Sequence, residues 1–228
     1  VKGLRIGVPR QIAEGEGFEP AVIADFRAAL DRLRDLGAEV TWIDTETFEY
    51  AVAAYYLLMP AEVSSNLARY DSVRYGLRVV PEGAANVERV MSATRAAGFG
   101  DEVKRRIMLG TYALSSGYYD AYYGKALKIR RVMANDFAAA YERCDVLVTP
   151  TSPSVAFPFG SKTADPFAMY LCDTYTIPAN LTGDPAMSVP FGTGADDLPV
   201  GVQVIAPALG EPVMLQVAAE LERVAVGS

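Results

Sequence analysis

The strongest constraint on the fold lies in the first 43 residues, where two short apolar runs bracket one amphipathic helix. Leu4–Val8 reads as a strand closed by Pro9, and the acidic, glycine-containing stretch Gln11–Gly17 reads as an exposed loop. From Pro20 to Leu36 the residues Val22, Ile23, Phe26, Leu30, Leu33 and Leu36 recur at helical spacing on one stripe. Pro20 suits the first turn of that helix and Gly37 the position just past its end. Glu39–Ile43 then reads as a second strand. Strand, helix and strand in this order make a βαβ unit, which requires a sheet covered by helices.

The later segments extend that plan. Thr47–Met59 is a mostly apolar helix, buried on nearly all sides, and Pro60 kinks it or starts a new helix running to Tyr70. A linker at Val79–Gly83 precedes a helix over Ala84–Ala97. Gly98–Arg131 reads as two helices broken at Ser115, Ser116 and Gly117, the second continuing to about Arg143. Asp145–Thr149 is a buried strand, and Pro150–Gly160 is a stiff, proline-rich loop. Asp165 and Pro166 start a short helix to Cys172. Met187–Pro190 and Val200–Ile205 are two more strands joined by a turn holding Asp196 and Asp197, a spacing that suits a hairpin. A hairpin beside a βαβ unit makes the sheet mixed. Pro212–Val224 closes the chain as an amphipathic helix. No repeat or linker divides it, so the expectation is one α/β domain over residues 1–228, a mixed β-sheet covered by helices.

Composition narrows function mainly by exclusion. With 51% apolar and 21% charged residues the chain can fill a core, as an ordinary globular protein does. A net charge of −7 argues against sequence-independent binding to nucleic acid, and the cluster Lys125, Lys128, Arg130 and Arg131 reads as a solvated helix face. No apolar run is long enough to span a membrane, and Val1–Arg10 reads as a strand and not a signal peptide, so no membrane role is expected. Two cysteines, Cys144 and Cys172, make no disulfide framework and point to a reducing, cytoplasmic setting. The chain has no histidine, which removes Ser-His-Asp and Cys-His catalysis and most zinc chemistry from this sequence. No glycine-rich phosphate loop occurs. The serine pairs at Ser64 and Ser115 read as helix caps and close-packing residues.

Two charged residues stand out. In the first helix of Gly98–Arg131, Arg105 faces Asp101, Glu102 and Tyr112 and reads as a surface residue with acidic partners. Arg106 shares its face with Phe99, Val103, Leu109, Gly110 and Ala113, so it points inward and needs an anion, from the protein or from a ligand. Gly110, one turn on, reads as room for a ligand. Asp173 falls at the end of the short helix Pro166–Cys172, where the helix dipole disfavours its charge, although a turn-forming aspartate is the plain alternative. Together an arginine and an aspartate can clamp a free α-amino acid by its carboxylate and ammonium groups. Five of the 13 tyrosines lie between Tyr112 and Tyr123, and they read as walls and packing.

The segments Tyr55–Gly76, Gly98–Ala126, Met169–Pro190 and Pro199–Pro207 resemble the A subunits of glutamyl-tRNA(Gln)/aspartyl-tRNA(Asn) amidotransferases, within the amidase signature family. The resemblance covers almost the whole chain. It implies the C-terminal part of that family's α/β/α fold, because the Gly/Ser-rich signature carrying the Ser-Ser-Lys catalytic triad is missing here. By the same resemblance, Arg106 holds the α-carboxylate of glutamine, Asp173 its α-ammonium group, and Tyr55 (or Tyr56) lines the site. The complex so implied is heterotrimeric. Its amidase subunit hydrolyses glutamine, and a B subunit uses ATP and magnesium to amidate Glu-tRNA(Gln). No metal or cofactor is then expected on this chain, partners are the B and C subunits, and the chain alone is expected to be inactive. A stand-alone amidase and a non-enzymatic amino-acid-binding module remain as alternatives.

Overall fold

A computed structural model describes residues 1–12, 17–83, 86–162 and 169–226. Its strands and helices are β1 (Arg5–Pro9), α1 (Pro20–Asp35), β2 (Glu39–Ile43), α2 (Ala51–Leu67), α3 (Val87–Gly98) and α4 (Asp101–Ala113). These are followed by α5 (Gly124–Tyr141), β3 (Val146–Pro150), α6 (Ile177–Thr182), β4 (Ala186–Thr193), β5 (Pro199–Ile205) and α7 (Glu211–Val226). The chain divides into two compact units, Val1–Val52 with Ile129–Ser228, and Ala53–Lys128.

The first unit holds a five-stranded sheet in the order β2-β1-β3-β5-β4. β1 pairs in parallel with both β2 and β3, while β5 runs antiparallel to β3 and to β4. The mixed sheet expected from the sequence is therefore present, with the βαβ unit at one edge and the hairpin at the other. In the hairpin turn Asp196 and Asp197 take left-handed φ values of 54° and 56°, which short polar side chains tolerate. β4 extends three residues past the expected Pro190, to Thr193, with a register shift on the way.

One face of the sheet is built as the stripe on α1 requires. Val22, Phe26, Ala29, Leu30 and Leu33 are all buried on α1. Phe26, Ala29, Leu30 and Leu33 join Ile6, Val8, Val146, Val148, Val202 and Val204 of the strands, with Met214, Val217 and Leu221 of α7, in one apolar cluster. Each large side chain removed from water there contributes about 1.5–3 kcal/mol. Gly37 ends the helix as predicted, at φ +88°, and its N–H bonds Arg34 O at 2.8 Å. On the opposite face of β1, a Cβ on Gly7 would lie 2.6–2.8 Å from Ile43, Cys144 and Leu147 side-chain atoms. Burial there pushes the Cys144 thiol up to about 12, so it is an inert core residue.

The second unit is helical. Pro60 does not start a new helix: α2 continues through it from Ala51 to Leu67, preceded by a 3-10 turn at Glu46–Tyr50. A Cβ on Gly110 of α4 would fall 1.8 Å from the Pro60 carbonyl oxygen, so the two backbones touch where α4 has no side chain. α3 begins at Val87, capped by Asn86, whose Oδ1 accepts the Arg89 N–H at 2.9 Å. After α4, Gly117 at φ +89° makes the expected break, and the tyrosine-rich entry to α5 is a π-turn over Tyr119–Tyr123. The helix expected from Asp165 and Pro166 lies for the most part outside the described residues.

Candidate functional site

Arg106 sits on the second turn of α4, whose N-terminus carries Asp101 and Glu102. Its side chain is 27% exposed against 51% for Arg105, so the inward face assigned to Arg106 is the one observed. The anion it needs is partly supplied by its own helix. Glu102 Oε1 accepts from Arg106 Nε at 2.9 Å, while Oε2 accepts from Arg105 Nη1. Glu102 therefore serves both arginines, where the sequence pointed to Arg105 alone. The Arg106 hydrogen bond is the largest cause holding the Glu102 carboxyl below the usual carboxylate range, and burial works against it.

The other edge of the guanidinium meets α2. Nη1 donates to Tyr55 Oη at 3.3 Å and lies 3.5 Å from Met59 Sδ. Of the two adjacent tyrosines, Tyr55 is the one whose hydroxyl meets Arg106, and its ring sets Tyr56 edge-on at 4.9 Å. Nη2 has no hydrogen-bond partner among the described residues. Burial opposes the charge of Arg106, but Glu102 and Tyr55 outweigh it and hold the pKa above the ordinary arginine value. The group is thus a permanent cation with Nη2 unspent, and a planar carboxylate can bond to it.

Gly110 does not provide the ligand space read from the sequence. The Pro60 backbone fills that space, and glycine is needed for helix contact. The serine pairs behave as structural residues: Ser64 Oγ and Thr111 Oγ1 share a 2.8 Å hydrogen bond, and Ser115 Oγ donates to Tyr112 O at 2.7 Å.

Asp173 belongs to the sheet-bearing unit. It ends a 3-10 turn, Leu171–Asp173, that follows the helical residues Met169 and Tyr170 and leads towards α6. Its side chain is exposed, and its carbonyl accepts from both Thr176 N and Thr176 Oγ1 at 3.1 Å.

A family model described as Amidase matches residues 1–215. The chain belongs to the amidase family. This amidase chain is 60% identical over 220 residues to the A subunit of the glutamyl-tRNA(Gln) amidotransferase of Salinispora arenicola, covering 96% of the chain and 44% of that relative. To the A subunit of the Mycobacterium tuberculosis amidotransferase it is 56% identical over 223 residues, 97% of the chain and 45% of the relative. The crystal structure of the Thermotoga maritima A subunit superposes with a TM-score of 0.69 at 39% identity, over 98% of this chain and 42% of that one. The amidase chain thus spans under half the length of these proteins.

Among the described residues, no group of three or more His, Cys, Asp or Glu side chains is placed to hold a metal ion. Among the same residues, no helix is long and apolar enough to cross a membrane. The structure brings Arg106 and Tyr55 of this amidase chain together and adds two neighbours that sequence reasoning left out. The i,i+4 spacing of Glu102 and Arg106 was the signal that could have found the first, although the sequence pointed to Arg105 as the partner of Glu102. Met59 carries no sequence signal of its own, since it is one apolar residue in a helix full of them.

Proposed function

We propose that this chain is the glutamine-recognising portion of the amidase subunit of a tRNA-dependent amidotransferase, one that converts Glu-tRNA(Gln) to Gln-tRNA(Gln). Arg106 binds the glutamine α-carboxylate, Asp173 the α-ammonium group, and Tyr55 steadies the guanidinium. The observation that carries this reading is the half-buried Arg106, held by Glu102 and Tyr55 with Nη2 unspent. The 56–60% identity to A subunits of glutamyl-tRNA(Gln) amidotransferases supports the choice of substrate. On this reading both compact units are parts of one amidase domain over residues 1–228, the C-terminal part of it. The Ser-Ser-Lys machinery that attacks the amide comes from sequence not contained in these residues, and the chain alone is inactive. The partners are B and C subunits in the cytoplasm, and ATP and magnesium are used by the B subunit.

The test uses the full-length protein. Arg106→Ala or Asp173→Ala raises KM for glutamine about tenfold to a hundredfold, the loss of one charge-assisted contact, with kcat much less affected. An unchanged KM in both variants overturns the clamp. Glutamine hydrolysis by the 228-residue chain itself contradicts the separation of binding from catalysis. Co-purification of B and C subunits with the full-length protein separates this reading from a stand-alone amidase, which binds neither.

A further inference from the structure

The sheet-bearing unit contains a cavity of about 250 Å³ between α6 and the β4–β5 hairpin, and its polar lining is Thr151, Thr176, Asn180, Asp184, Ser188 and Gln203. Neither Arg106 nor Asp173 lines it, and among the described residues no lysine or arginine does. Its hydrogen-bonding is lopsided. Gln203 is 4% exposed, and its Nε2 donates to both Thr149 Oγ1 and Tyr175 O at 2.8 Å. A carbonyl partner fixes which end of the amide is nitrogen. The Gln203 Oε1 acceptor is left with no donor among the described residues.

The same holds at two more positions. Asn180 Nδ2 donates to Thr176 O at 2.9 Å, which leaves its Oδ1 without a donor among the described residues. At Asp184 both hydrogen bonds reach one oxygen: Tyr141 Oη at 3.3 Å and Thr182 Oγ1 at 2.8 Å donate to Oδ2. Asp184 Oδ1 receives none among the described residues, and both donors on Oδ2 are neutral. Burial raises the Asp184 carboxyl above its ordinary value, and the two hydroxyls only partly offset it. The arginine that reaches α6 from α5, Arg130, spends its Nε on Leu181 O at 2.7 Å. Three acceptor oxygens, one of them on a partly buried carboxylate, thus belong to a cavity lining with no lysine or arginine among the described residues. A donor-rich cation offers these oxygens charged partners in place of water.

We propose that this cavity is a binding site for a small primary ammonium ion. An –NH3⁺ group has three donors and no acceptor, which matches Gln203 Oε1, Asn180 Oδ1 and Asp184 Oδ1 one for one. The cavity holds several times the roughly 30 Å³ share of one water molecule, so a short alkyl tail fits behind the head group. A free amino acid is a poor occupant, because its carboxylate finds no cation in the lining. The proposal uses neither Arg106 nor the Asp173 carboxylate, so it does not depend on the glutamine clamp.

The experiment measures the thermal midpoint of the protein at constant ionic strength with methylammonium, tetramethylammonium or potassium chloride. Methylammonium gives a saturable rise in Tm, whereas tetramethylammonium, which has no N–H, and potassium give none. Asp184→Asn abolishes the rise. Asn180→Leu, at an exposed position that leaves the Asp184 hydrogen bonds intact, weakens the apparent affinity at least about fivefold, the value of one hydrogen bond. An equal rise with potassium or tetramethylammonium overturns the proposal. So does no rise with methylammonium, or a rise that Asn180→Leu leaves unchanged.

Discussion

In the sheet-bearing unit the largest apolar side chains leave solvent almost completely: Phe26 and Phe137 are 1% exposed, and Ile6, Leu33 and Leu147 are at 0%. In Ala53–Lys128 the buried apolar side chains that are described include Leu58 and Val90 and the small Ala54, Ala61, Ala113 and Ala126, while Tyr70, Tyr75, Tyr112 and Tyr119 remain exposed. The first unit is held by volume, the second by close backbone approach. Each is therefore vulnerable to the opposite change. Removing atoms should damage the sheet, and adding them should damage the helices.

The largest expected effect is in the sheet. Phe26→Ala empties a site in the cluster shared by α1, α7 and four strands, and costs about 3–5 kcal/mol. Hydrogen exchange should accelerate in β1, β3 and β5 first. A smaller effect comes from adding one carbon to the helical unit. In Gly110→Ala the new methyl meets the Pro60 carbonyl, which no side-chain rotation relieves, and costs about 3 kcal/mol. Exchange should then accelerate in α2 and α4. At Gly98 the nearest atom is a movable Leu77 methyl at 3.3 Å, so Gly98→Ala serves as the mild control. If Gly110→Ala and Gly98→Ala are equally stable, the backbone contact is not what holds the two helices.

This contrast also explains what the sequence made legible. Periodicity reports burial of side chains, so α1, β1, β2 and the β4–β5 hairpin could be read directly. The contact between Pro60 and Gly110 leaves no such pattern, because neither residue contributes a large side chain. Read alone, Pro60 suggested a break and Gly110 a space for ligand. Their juxtaposition shows instead that Gly110 lets the two helix backbones meet at Pro60. The site divided in the same way. Arg106 was separable from Arg105 by helical face, since 100° per residue decides which one turns inward. The sharing of Glu102 between them was not, because spacing allows either pair and side-chain geometry chooses both. The cavity beside α6 was invisible, since it depends on which amide and carboxylate oxygens remain unspent after folding.

The next two expectations are smaller and concern polar contacts. In the full-length protein Tyr55→Phe removes one hydrogen bond to Arg106 and leaves the ring in place, so KM for glutamine rises about fivefold, as for a bond of about 1 kcal/mol. Arg105→Ala, on the exposed side of the same helix, changes KM by less than about twofold. Equal effects at Arg105 and Arg106 would remove the distinction between the two faces.

The smallest effect is at the surface pair that ties the start of β1 to the entry of β3. Asp145 accepts from Arg5 N with Oδ2 and from Arg5 Nη2 with Oδ1, both at 2.8 Å, while Asp145 N donates to Arg5 O at 2.8 Å. The Arg5 side-chain hydrogen bond is the main cause holding the Asp145 carboxyl below its ordinary value, with burial opposing it. A carboxyl depressed in the folded state stabilises the fold above its unfolded pKa of about 3.9, and that contribution disappears as pH falls through the lower folded value. Asp145→Asn should therefore lower the urea midpoint slightly at pH 7, and the gap from the unmodified protein should close below about pH 4. The salt dependence should follow the same course, because the arginine is exposed and its charge is screened. A gap that widens as the pH drops would mean that Asp145 acts through its backbone geometry and not through its charge, which would return the sheet unit wholly to side-chain volume.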